Sequence, residues 1–299
     1  MPIFPIGFSI HESLIVKEIP VKTKLLAHIV PGKLDTYIFN TAEEYNKDYQ
    51  NSFFALTCKK SGWDCFRHYE ILANGCIPLF INLESIPENI MTHFPKDIIR
   101  ETNQLYDIMK NEKDTDEYKK HEKKCYDYIE KLLEHTRTFL TSKAMALYVL
   151  EKSNITLDVP KVLFLSERTD PDYLRCLTLQ GFKELLGTNC HDFPKIEHIY
   201  DDYSENILNL YGKGINYAKL VDSSLTYDKN LDKHLVKNIK NHYYDVIIYG
   251  SIHRGNPLID MVEYYYKPNE IVFICGEDEH NCHLKNTSSE INIFIRELK

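Results

Sequence analysis

Glycine is sparse in this 299-residue chain, at 11 positions, and none of them builds the phosphate loops G-x-x-x-x-G-K-[ST] or G-x-G-x-x-G. The motifs G-x-S-x-G and H-E-x-x-H are missing as well. P-loop NTPase, dehydrogenase and α/β-hydrolase readings therefore lose their support. No stretch approaches the ~18 apolar residues of a membrane span. The opening MPIFPIGFSIHESLIVKEIP has no basic region followed by a long apolar run, so a soluble, cytoplasmic protein is expected. Positive charge is also in deficit: 36 Lys and Arg stand against 44 Asp and Glu, a net −8 spread along the chain. Nucleic acid is disfavoured as a partner, because a basic groove would work against the average field. The eight cysteines, without a leader, read as reduced thiols rather than a disulfide framework.

What is present is ordinary globular composition, 43% apolar and 27% charged, on a chain longer than one core usually serves. Two domains are expected. SFFALTC, residues 52–58, is a buried strand, and a weaker strand runs from about Leu25 to Val30. GWDCFRHYEILANG is a helix whose apolar face carries Phe66, Tyr69, Ile71 and Leu72, with Gly75 at the terminating position, and CIPLFI restarts as a strand. Two amphipathic helices fill residues 115–153, and the charged run from Asn111 to Lys124 reads as a solvated helix face or loop rather than a binding tract. At Val159–Pro160 the pattern changes. KVLFLS is a strand, TDPDYLRCLTLQGFKELLG a capped helix, and KIEHIYDD, YDVIIYGS and NEIVFICGED further strands, with helices at residues 231–242 and 257–266 between them. A boundary near residue 157 follows. Strands alternating with helices imply an α/β architecture with parallel sheets covered on both faces.

Ligands of such sheets bind beyond the carboxyl ends of the strands, which directs attention to four loops. KKSGWD places Lys59, Lys60 and Gly62 ahead of a helix bearing Arg67, His68 and Glu70, a set suited to a diphosphate and a ribose. Arg67 and Glu70 also read as an i, i+3 surface pair. SERTDPDY carries Asp170 and Asp172, and GSIHRGN carries His253 and Arg254; a carboxylate beside a histidine suits deprotonation of a hydroxyl. Asp170 before Pro171 equally reads as a helix cap. GEDEHNCH packs Glu277, Asp278, Glu279 and His280, an acidic cluster at a strand end. The neighbouring Cys275, Cys282 and His283 match no paired zinc pattern, so no metal is expected. YGKGINY reads as a turn.

The stretch KKSGWDCFRHYEILANGCIPLFINLESIPENIMTHFPK, residues 59–96, resembles the donor-domain signature of exostosin-like GT-B glycosyltransferases, an Arg/His/Glu helix followed by small-Gly-Cys-Ile-Pro and a strand. The resemblance implies that Arg67 and Lys60 meet the diphosphate of a nucleotide sugar, a UDP-sugar first, that Glu70 meets its ribose, and that no cofactor is needed. PKVLFLSERTDPDY through YDVIIYGSIHRG to IVFICGEDEH is similar to the acceptor domain of related proteins from large DNA viruses and some microbes. That likeness implies a base among Asp170, Asp172, His253, Glu277 and Asp278, with Arg254, Glu279 and His280 beside a carbohydrate acceptor. Residues 1–157 would then be the donor domain and 158–299 the acceptor domain, two Rossmann-like halves facing a central cleft. Their order is the reverse of the family pattern, as in a circular permutant, and places Met1 near Lys299. The expected activity is sugar transfer to a hydroxyl; the rival is an inactive GT-B module that binds a glycan or a protein.

Overall fold

The computed structural model describes residues 2–111, 115–278, 282 and 290–299. In chain order the elements begin with β1 (Ile3–Pro5), β2 (Lys24–Leu26), α1 (Ala42–Gln50), β3 (Ser52–Thr57), α2 (Phe66–Ala73) and β4 (Ile77–Phe80). Three helices follow, α3 (Lys96–Asn111), α4 (Asp116–Phe139) and α5 (Ser142–Lys152). The second series is β5 (Val162–Leu165), α6 (Tyr173–Leu186), β6 (Cys190–Phe193), α7 (Asn230–Lys233), α8 (Leu235–Lys240), β7 (Val246–Tyr249), α9 (Ile259–Tyr265), β8 (Ile271–Cys275) and β9 (Asn292–Ile295).

Two parallel sheets result. The smaller has the order β2-β3-β4 and the larger β1-β9-β8-β7-β5-β6. In β5 the side chains of Val162 and Phe164 enter one apolar cluster while Leu163 and Leu165 enter another, so the sheet is covered on both faces. The first of these clusters is continuous through both halves, running from Phe54 and Leu133 to Phe164 and Ile248. The α/β reading with parallel sheets therefore holds. No helix among the described residues is long and apolar enough to cross a membrane.

Three strands were not anticipated from the sequence, β1, β6 and β9, of which the first and last lie at the ends of the chain. β1 pairs in parallel with β9, through Ile3–Ile293 and Pro5–Ile295, so the first residues extend the sheet of the second half rather than that of the first. The described part of the N-terminal segment thus lies beside the last strand, while Met1 falls outside the described residues. The expected strand KIEHIYDD is a correction: the ladder runs one segment earlier, through Cys190–Phe193. Pro194 lacks the N–H needed to extend it. The chain then turns around Asp192, whose carboxylate accepts from the Ile196 amide at 3.0 Å and the Tyr200 hydroxyl at 2.8 Å.

The helices α5 and α6 come into close backbone contact at Gly181. A Cβ on Gly181 would lie 1.9 Å from the Ser142 carbonyl oxygen, so only glycine lets these helices meet. Gly181→Ala is expected to cost at least about 2 kcal/mol, read as a lowered urea midpoint, because backbone rather than a flexible side chain would have to move. An unchanged midpoint would mean that α5 does not sit against α6 as described.

Candidate functional site

The carboxyl ends of both sheets open onto one cavity of about 1050 Å³. On the first-half wall stand Lys60, Gly62, Asp64, Arg67 and Glu70, from the β3–α2 loop and the start of α2. On the opposite wall stand Asp170 and Asp172 after β5, His253 and Arg254 after β7, and Glu277 and Asp278 after β8. Ten of the residues singled out in the sequence therefore meet in one cleft. Glu279 and His280 lie outside the described residues.

Two of the expected donor residues do not belong to it. His68 is fully buried, with Nδ1 2.8 Å from Thr57 Oγ1, Nε2 2.9 Å from the Trp63 carbonyl oxygen, and Phe80 and Phe94 against its ring. Burial holds its pKa down to about 3, so it is a neutral core residue. The period of the helix explains the difference: Arg67 and Glu70 share the face toward the cleft, and residue 68 turns inward. Lys59 is exposed with its ammonium 5.3 Å from the Trp63 ring centroid, away from the cavity.

Lys60 and Arg67 converge on one aromatic ring. Their charged groups lie 6.0 Å and 5.4 Å from the centroid of Tyr37, and Arg67 Nη2 donates to the Tyr37 hydroxyl at 2.9 Å. Neither has a carboxylate within ion-pair distance among the described residues, and Arg67 Nε is buried without a hydrogen-bond partner. Two cations held together with no anion between them form a site short of negative charge. One turn further along α2, Glu70 accepts from Tyr45 Oη at 2.7 Å and Asn216 Nδ2 at 2.8 Å. Burial raises its pKa, and the two donors and Arg67 oppose that rise.

The far wall is organised around Asp172. It, and not Asp170, caps α6, accepting from the Arg175 amide at 3.1 Å. Its second oxygen accepts from Ser251 Oγ at 3.0 Å and Arg254 Nε at 2.6 Å and lies 3.6 Å from His253 Nε2. Burial would raise the Asp172 pKa, but the Arg175 amide and the Arg175, Arg254 and His253 charges outweigh it, so the carboxylate stays ionised. Burial lowers the His253 pKa against the pull of Asp172, leaving a neutral imidazole on the cavity wall at neutral pH. Asp170 accepts from Arg254 Nη1 at 3.0 Å. Glu277 lines the cavity without a hydrogen-bond partner among the described residues.

Arg296 and Glu297, just past β9, join the walls and were not singled out in the sequence. Arg296 is 1% exposed; it donates to the carbonyl oxygens of Asp64 and Gly276, pairs with Asp278 and stacks 4.8 Å from the Phe8 ring. Glu297 Oε1 accepts from the Asp64 amide at 2.9 Å and would lie 2.4 Å from a Cβ on Gly62, so that glycine serves close backbone approach. Asp278 is therefore an anchor for Arg296 rather than a free carboxylate. Asp64 accepts from the Phe8 amide at 2.7 Å and Tyr69 Oη at 2.9 Å.

Burial pushes the Asp64 carboxyl up to about 6 from an ordinary 3.8, against Arg296 and the Phe8 amide. A carboxyl raised on folding favours the native state fully at acid pH, and that contribution is lost as pH rises through about 6. Wild type should therefore lose stability relative to Asp64→Asn between about pH 4 and pH 6, at no more than about 1.4 kcal/mol per pH unit. Urea midpoints of the two proteins across that range decide it; parallel profiles would remove the assignment.

Among the thiols, Cys65 lines the cavity, and burial pushes its pKa up to about 12, which makes it a poor nucleophile. Cys275 and Cys282 are bonded to each other, contrary to the expectation of reduced thiols throughout, while the other six cysteines are free. The same pair with Glu277 brings three ligand-type atoms within 4.8 Å.

Comparison of the chain with protein-family models, curated proteins and solved structures returns no match. The site must be read from its own chemistry.

Proposed function

We propose that the chain is a glycosyltransferase that moves a sugar from a nucleoside diphosphate to a hydroxyl of a carbohydrate acceptor. The observation that carries this reading is the pair of cations, Lys60 and Arg67, which have no carboxylate partner among the described residues and face His253 and Asp172 across one cleft. The likeness of residues 59–96 to exostosin-like donor domains supports the same assignment of Arg67 and Glu70. Aromatic and apolar side chains on the rim, including Leu34, Tyr37 and Tyr211, suit the flat faces of a base and sugars.

In this reading the diphosphate lies between Lys60 and Arg67, and the ribose hydroxyls donate to Glu70. The acceptor oxygen attacks the anomeric carbon, and the bond to the diphosphate breaks with its electron pair leaving on phosphate oxygen. Lys60 and Arg67 neutralise that developing charge without calling on a bound metal. Neutral His253 takes the acceptor proton, and Asp172, held ionised by its donors, stabilises the imidazolium that forms.

Thermal unfolding with UDP-, GDP- and CDP-sugars, with and without a chelator, tests the first step. A ligand at a hundredfold its dissociation constant stabilises by about 2.7 kcal/mol. One nucleotide series should raise the midpoint whether or not chelator is present. No shift with any of them would overturn the reading.

A further inference from the structure

We propose that the turn from Tyr211 to Asn216 is a working part of the donor site, and that Asn216 is a positioning residue holding the Glu70 carboxylate from across the cleft. This rests on the glycosyltransferase reading and adds to it that donor affinity is set by both halves of the molecule.

The turn is costly to form. Gly212, Lys213, Gly214 and Asn216 all have positive φ, at 59°, 58°, 67° and 61°, and two of these are not glycine. A residue with a Cβ pays roughly 1–2 kcal/mol for that region, so it persists only where surroundings hold it. It is held partly from its own half, where Tyr217 Oη donates to the Tyr211 carbonyl oxygen at 2.7 Å and the Ala218 amide to that of Gly214 at 3.1 Å, and partly from the first half. Lys213 Nζ donates to Asn40 Oδ1 at 2.7 Å and to the Phe39 carbonyl oxygen at 3.2 Å. Asn216 Nδ2 donates to Glu70 Oε1 at 2.8 Å and Asn46 Oδ1 at 2.9 Å, and Asn46 Nδ2 returns a bond to Asn216 Oδ1 at 2.9 Å. Tyr211, Gly212, Lys213 and Ile215 line the same cavity, so the crossing lies at the site.

The consequence falls on Glu70. Tyr45 holds one carboxylate oxygen and Asn216 the other, which fixes the plane of the carboxylate and leaves each oxygen a lone pair for a ribose hydroxyl. The charged and titratable groups around it are Arg67 on its own helix, Tyr45 and Tyr49 on α1, and Tyr173 at the start of α6. Apart from Arg67, none of these is a cation, so removing Asn216 frees the carboxylate to rotate and to take up a proton.

Two variants separate positioning from folding. Asn216→Gly removes the side chain and accepts the positive φ more readily than Asn, which offsets part of the stability lost with its bonds to Glu70 and Asn46, so its unfolding midpoint should fall only modestly. Its UDP dissociation constant should rise about tenfold, because the misplaced Glu70 carboxylate loses its hydrogen bond to the ribose, a bond to a charged group. Asn216→Asp keeps the shape but sets a carboxyl against Glu70. Two carboxyls so placed share a proton, and UDP binding should then strengthen as pH falls, which neither wild type nor Asn216→Gly should do to that degree. Isothermal titration with UDP across neutral pH, beside thermal unfolding of each free protein, reads both effects. Unchanged affinity in Asn216→Gly, or an Asn216→Asp pH profile parallel to wild type, would overturn the inference while leaving the transferase reading intact. Failure of wild type to bind UDP, GDP or CDP would remove both.

Discussion

Replacing Arg67 by Ala should weaken binding of a nucleoside diphosphate by between about 10-fold and 100-fold, the range expected for charge-assisted bonds to a phosphate. The free protein should hardly notice. Arg67 is half-buried, its Nη2 donates to the hydroxyl of Tyr37, and its Nε has no partner among the described residues. Native packing therefore loses little, and the unfolding midpoint should move by no more than about 2 °C. Arg67→Lys keeps the charge but loses the planar fork that grips two oxygens, so it should fall between wild type and Arg67→Ala. Isothermal titration of the three proteins gives the order. Equal affinities would mean that the diphosphate lies elsewhere, and the donor assignment would fail.

The second large effect is expected on turnover. His253→Ala should lower the rate of sugar transfer by about a thousandfold, within the range that a positioned base supplies, while leaving nucleotide affinity intact. His253 stands on the wall opposite Lys60 and Arg67, so donor binding and proton removal are separable. Asp172→Asn should be the more disruptive change to the fold. It keeps one oxygen to accept from the Arg175 amide but loses the charge that Arg254 Nε meets at 2.6 Å. Its effect must accordingly be read against a measured unfolding midpoint. Transfer rates at saturating donor decide the base: if His253→Ala turns over like wild type, the proton goes to another group on that wall, such as Glu277, which has no hydrogen-bond partner among the described residues.

Much of this arrangement was legible in the residues. Buried parallel strands announce themselves as short apolar runs, and SFFALT, VLFL, VIIY and IVFIC appear where they were read. The rule that ligands meet the carboxyl ends of such strands pointed to Lys60, Arg67, Glu70, Asp172 and His253, which line one cleft. What the sequence hid is long-range. Residues 2–5 are too few and too proline-rich to read as a strand, yet β9 offers them an open edge. Asn216 looks like part of a turn and nothing else, because its partner Glu70 is 146 residues away. Arg296 follows an apolar run, NIFI, that could have been read as a strand, and the rule used for the other loops would then have marked it. His68 shows the opposite failure: its neighbours on α2 face the cleft, and only the rotation of the helix separates it from them.

The disposition of charge in the cleft also narrows what can enter it. Arg254 is taken up by Asp170 and Asp172, and Arg296 by Asp278 and Glu297. Among the described residues, the positive charge left without a carboxylate belongs to Lys60 and Arg67 on the first-half wall and to Lys213, whose ammonium reaches to neutral acceptors on that same side. Anions are thus directed to that side, and the other wall, where Glu277 has no cationic partner among the described residues, suits a neutral group.

Hydrogen exchange with and without a bound nucleotide sugar tests the central claim most directly, because it reports where the ligand lodges independently of turnover. Protection should appear together in the backbone amides of residues 60–70 and of residues 211–216, with a smaller change at residues 251–255. Protection confined to another surface, or none at a ligand concentration that saturates binding, would contradict it.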